Sequence, residues 1–194
     1  MIIAALLCIA ASPTHDFVMA AAPQQFTSHD RPTNAHETTH FLIGSTAGFD
    51  GRAVHRLHDP GLSTAQVDAF VRVRGYRHTG YFPTAQARGH RSALWIVGEA
   101  SAYLAGAKTA EEDANSGSYV PASDWVSGVA EFGHYLHAYA DAYRLHFPAV
   151  YASDTAFQTF LAAWTAEAKR VFLANAGRFP HTEQGVTFQQ WSNR

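Results

Sequence analysis

Two histidines four residues apart, with a glutamate directly after the first, stand out in the stretch NAHETTHFLIG: His36, Glu37 and His40 in the order H-E-x-x-H. On an α-helix, side chains at i and i+4 lie one above the other, about 6 Å apart along the axis. Two imidazoles so placed could converge on one tetrahedral zinc ion through bonds of about 2.0–2.1 Å. The glutamate then points beside the metal, where it could act as general base toward a water molecule.

The flanking residues give this group a helix. Asp30, Thr33 or Asn34 could cap its start, Pro32 suits a first turn, and Gly44 marks its end. The apolar run Phe41-Leu42-Ile43 would pack the helix into a core, although Thr38 and Thr39 are mediocre helix formers. With these residues the chain resembles the zincin metallopeptidases. The resemblance implies a zinc hydrolase of peptide bonds, with His36 and His40 as ligands, Glu37 as general base and a third protein ligand further along. A metzincin continuation is absent, since Thr46 stands where its histidine would be. The stretch GEASAYL, residues 98–104, resembles the glutamate helix of gluzincins and makes Glu99 the expected third ligand. There a carboxylate interrupts an apolar helical stretch among small neighbours, and metal coordination is one way to offset its burial. The match is partial: Tyr103 stands where thermolysin-like enzymes place an aspartate. Tyr103 follows Glu99 by one turn and faces the same way, which makes it a candidate donor to a tetrahedral oxyanion.

A rival ligand set lies in EFGHYLHAYADAYRLHF, where Glu131, His134, Ala138 and Asp141 share one helical stripe and His137 pairs with Asp141 at i, i+4. HAYADAYRLHF resembles the ligand helix of lethal-factor-like zincins, with His137 in place of the glutamate. His134 or His137 is thus expected as a transition-state donor or as a partner to a ligand.

The elements that must position these residues are mostly helical: a mainly α domain (α+β) with at most a small sheet, from residues 2–9 and parts of the 178–194 tail. Residues 44–62 read as loop, 63–75 as a short amphipathic helix, 76–91 as an irregular connection and 92–105 as a helix ending at Gly106. A polar loop follows over 108–122. A long helix then runs from near Ser123 to Phe147, and a last one starts at Ser153 or Asp154 and ends at Asn175-Ala176-Gly177.

With 194 residues the chain fits one domain, expected over 23–194, preceded by a segment 1–22 that reads as a signal peptide or a leading strand. Export, to the periplasm or outside the cell, is the expectation, with a cytoplasmic location as the alternative. The apolar run is too short to span a bilayer. Cys8 is the only cysteine, so no intrachain disulfide forms. A net charge of −2 argues against nucleic-acid binding, and Arg72, Arg74, Arg77, Arg88 and Arg91 read as solvated surface. The expected partner is a peptide or protein substrate. Two other functions fit the same composition, with its 12 histidines. One is a non-catalytic histidine-rich metal-binding protein; the other is a helical interaction module in which H-E-x-x-H is accidental.

Overall fold

A computed structural model describes residues 12–88, 92–118, 125–175 and 177–178. Eight helices and one small hairpin make up its regular structure: α1 (Pro13–Ala21), α2 (Arg31–Ile43), β1 (Ala47–Phe49), β2 (Val54–Arg56), α3 (Thr64–Asp68), α4 (Tyr76–Ala87), α5 (Trp95–Asn115), α6 (Trp125–His146), α7 (Pro148–Ser153) and α8 (Thr155–Asn175). The mainly helical class is as the sequence indicated. The strand expected over 2–9, and any in the tail beyond residue 178, lie outside the described residues. The sheet that is seen comes from the segment read as loop: β1 and β2 pair antiparallel, Ala47 with Arg56 and Phe49 with Val54, around an Asp50-Gly51 turn. Residues 13–21, placed by sequence in the leader-or-strand segment, form α1.

Helix α5 is the spine. It packs against α2 on one side and α6 on another, with α8, α1 and the hairpin filling the remaining faces. One apolar cluster is built from α3–α6 and α8 around Leu104, Phe132, Tyr135 and Trp164; a smaller one joins α1, α2, β1 and Ala105 of α5. The α2–α5 contact is close because small side chains, Ala35, Ala102 and Ala105, are fully buried there.

Helix α5 runs nine residues past Gly106, to Asn115, through the segment read as polar loop. Gly106 is a packing position, not a stop: a Cβ there would sit 3.0 Å from the Trp125 indole and 3.2 Å from the Pro32 carbonyl oxygen. The charged residues beyond it are buried or half-buried because each finds a partner. Lys108 Nζ donates to the Gly51 carbonyl and to Glu167, both at 2.8 Å. Glu111 accepts a fork of two bonds from Arg170, at 2.9 and 2.8 Å. Glu112 accepts from Ser12 Oγ (2.6 Å), Thr14 N (3.0 Å) and Thr14 Oγ1 (2.6 Å), and so holds the start of α1. Ion pairing replaces apolar periodicity along this half of the helix.

Two further differences matter for the site. The amphipathic stretch 63–75 is helical only from Thr64 to Asp68, behind a capping box between Ser63 and Gln66. The expected irregular connection is instead α4, with Pro83 inside it. Phe82 and Ala85 bury one face of α4, and that tertiary packing outweighs the local cost of Gly80 and Pro83.

Candidate metal centre

Asp30 precedes α2 as its N-cap residue, Pro32 lies in its first turn, and Gly44 closes it with φ +57°, a conformation that favours glycine. The helix presents His36 and His40 toward α5, where Glu99 meets them. His36 Nε2 lies 3.8 Å from Glu99 Oε2, and His40 Nε2 lies 3.7 Å from Glu99 Oε1. One ligand atom from each of the three residues falls within 4.8 Å of the others, and no other such group occurs among the described residues. Two donors held at about 2.05 Å from a tetrahedral ion are about 3.3 Å apart. The two His–Glu99 separations of 3.8 and 3.7 Å exceed this by about half an ångström, and an ion would draw the remaining separations, all within 4.8 Å, inward. The donor set of two imidazoles and one carboxylate suits zinc. Glu99 Oε2 is buried without a hydrogen-bond partner, as a carboxylate oxygen reserved for a cation would be. Glu37 Oε1 lies 4.0 Å from His36 Nε2, on the more exposed side of the group.

The electrostatics suit the same task. Burial, with the charges of His40 and Arg77 added, pulls the His36 pKa down to about 3, and the Ala102 carbonyl opposes this weakly. Burial also lowers His40. Both rings are therefore held neutral, the form in which a nitrogen lone pair is free to bind metal. Burial and then the nearby Glu37 charge raise Glu99 to about 7, with Tyr81 hydrogen bonding in partial opposition. Desolvation raises Glu37 too. Without a cation, two carboxylates and two imidazoles are poorly accommodated in one partly buried group.

Aromatic side chains wall the group in. The Tyr103 ring meets His36 edge-on at 4.7 Å, and Trp125 lies against the same imidazole at 5.0 Å. The Tyr103 hydroxyl is 3.1 Å from the Tyr81 hydroxyl of α4. Burial, and then the Glu99 charge, raise the Tyr81 pKa, so this phenol keeps its proton. Behind Tyr103 the Arg77 guanidinium sits 4.9 Å from the ring centroid. Arg77 donates to Glu131 at 3.1 Å, and Glu131 also accepts from the His78 backbone N–H at 3.0 Å and from the Tyr135 hydroxyl. Gly128 of α6 leaves room for Tyr103: a Cβ there would overlap its ring.

Of the residues singled out by sequence, His36, Glu37, His40 and Glu99 come together, and Tyr103 joins them through its ring. His134 is buried in α6. It lies six residues after Gly128, which turns it about 120° from the face that meets Tyr103. His137 Nε2 is 3.3 Å from Thr165 Oγ1, on the α8 side. The rival ligand stripe on α6 is otherwise engaged, Glu131 with Arg77 and Asp141 with Arg144 at 3.1 Å. Arg77, read as solvated surface, is 4% exposed and paired. Sequence reasoning missed Arg77, Tyr81 and Trp125 as neighbours of the group. The signal for the first two was the helical spacing of Arg77, Tyr81 and Ala85, hidden by Gly80 and Pro83.

Comparison of the chain with protein-family models, with curated proteins and with solved structures gives no match.

Proposed function

We propose that this chain is a zinc-dependent hydrolase acting on peptide bonds. The observation that supports it most is the convergence of His36, His40 and Glu99, with Glu37 alongside. Those three residues would hold the ion. Zinc so held supplies a Lewis acid for a carbonyl group and lowers the pKa of water. Glu37 takes a proton from the attacking water and delivers it to the leaving amine, a task suited to a carboxylate whose pKa burial raises. The protonated Tyr81 phenol, steadied by Tyr103, offers a donor to the developing oxyanion. The cleft beside Glu99 leaves access for an extended chain.

The test is zinc content by elemental analysis together with hydrolysis of a mixed peptide library, for wild type, Glu99→Ala and Glu37→Gln. One zinc per chain in wild type, lost with Glu99→Ala and kept with Glu37→Gln, alongside cleavage that both changes abolish, is the expected result. Zinc retained without cleavage in any form points to a metal-binding protein instead. No zinc in any form after metal is supplied refutes the site.

A further inference from the structure

Two cavities open beside Glu99, and Trp95 and Glu99 form a wall of each. One, of about 470 Å³, runs between α5 and a stripe of α4 that comprises Tyr81, Thr84, Ala85 and Arg88. The other, of about 480 Å³, is bordered by His40, the 44–47 segment, Asp59 and Leu94. Their charges differ in sign. Arg88 is the cation of the first; it is exposed and has no ion-pair partner among the described residues. Asp59 is exposed in the second, where one of its oxygens accepts the Gly61 N–H at 2.8 Å. Glu99, common to both, is the carboxylate that would hold the proposed metal.

We propose that this cleft selects peptides by polarity, with a carboxylate on the α4 side of the bond to be cleaved and a cationic group on the side of Asp59. Tyr81 and Arg88 are seven residues apart on one helical stripe, and a rise of 1.5 Å per residue puts them about 10 Å apart along it. Tyr81 stands beside Glu99, so Arg88 marks the far end of a groove whose middle is lined by Ala85 and Trp95. An extended peptide advances about 3.3–3.6 Å per residue. The carboxylate therefore belongs about three residues from the reacting carbonyl, with small or apolar residues between. Opposite charges at the two ends fix the direction in which the chain lies, as like charges would not.

This inference rests on the hydrolase reading, and the experiment separates the two. Internally quenched peptides with a common apolar centre carry Glu, Gln or Lys three residues to either side. For each peptide, kcat/KM is measured on the zinc-loaded protein, and the dissociation constant is measured by fluorescence anisotropy of a labelled copy. The Glu/Lys peptide of the favoured direction is expected to exceed the Gln/Gln peptide by about fivefold per charge, the upper range for an exposed ion pair, and the advantage should shrink in high salt. Arg88→Glu should invert the preference at one end and Asp59→Lys at the other. Affinities that ignore peptide charge, or an Arg88→Glu preference equal to that of wild type, overturn the polarity proposal. Absence of cleavage with every peptide refutes only the hydrolase reading, because the dissociation constants still decide the polarity.

Discussion

Zinc binding should be governed by the titration of one group, Glu99. Burial, which brings the His36 pKa to about 3 and lowers that of His40, weakens the competition of ring protonation with the metal. Protonation of Glu99, raised to about 7, competes more strongly. Its pKa lies above its ordinary value, and metal binds the deprotonated form, so affinity is complete above pH 7 and is lost as pH falls through 7. One group titrating at 7 costs about a factor of 100 in apparent affinity between pH 8 and pH 5, or about 2.7 kcal/mol. It releases about half a proton per zinc bound at pH 7. The contrast appears near pH 5, where Glu99 alone releases about one proton per zinc, whereas two ordinary histidines with a carboxylate of ordinary pKa would release about two and lose about a thousandfold in affinity over the same range. Competition with a chromophoric chelator from pH 5 to 8, and calorimetry in two buffers of different ionisation enthalpy, measure slope and proton count. Glu99→Gln should flatten the dependence as it weakens binding. A two-proton slope with its midpoint near 6.5 would mean that the imidazoles are not desolvated and that Glu99 does not govern binding.

The supporting shell yields three further predictions. Gly128→Ala should destabilise the fold by about 1–3 kcal/mol, as overpacking against the Tyr103 ring forces a shift, and thermal unfolding reads this directly. Arg77→Met leaves Glu131, which is 0% exposed, without its cation and should cost about 3–5 kcal/mol in urea unfolding, most of it recovered by adding Glu131→Leu. Burial alone would raise Glu167, but hydrogen bonds and charges from Arg170 and Lys108 outweigh it and bring the pKa from 4.5 to about 2. That stabilisation, on the order of 3 kcal/mol, is present above pH 4.5 and lost as pH falls through 2; the stability gap between wild type and Lys108→Met, measured in urea at each pH, should narrow over that window.

The residues that converge at the candidate site could be picked out of the chain because the pattern that marks them is local. His36, Glu37 and His40 lie on one helix with its own start and stop residues, and Glu99 stands out as a carboxylate among apolar neighbours. The site's backing could not be read, because it depends on contacts across long stretches of sequence. Arg77 becomes a buried group only when Glu131, 54 residues away, accepts its charge. Tyr81 reaches Tyr103 only because α4 forms in spite of Pro83. The second half of α5 resembles a polar loop until Arg170 and Glu167, with Ser12 and Thr14, supply its partners. The 44–62 segment likewise hid a hairpin of two three-residue strands, too short for alternation to register, although its Asp-Gly turn was in view.

Helix α5 carries Glu99 near one end and Glu111 and Glu112 near the other, and its 21 residues span about 30 Å. Because the intervening turns are buried and paired, this helix has little freedom to open in pieces, and its amides should exchange with solvent only through global unfolding. The energy of a ligand captured at Glu99 is then shared with every element bolted to the same rod. Hydrogen exchange at the start of α1 and around Arg170 of α8, which are tied to Glu112 and Glu111, should slow in step with exchange in α2, so that the molecule reports occupancy of one end at the other.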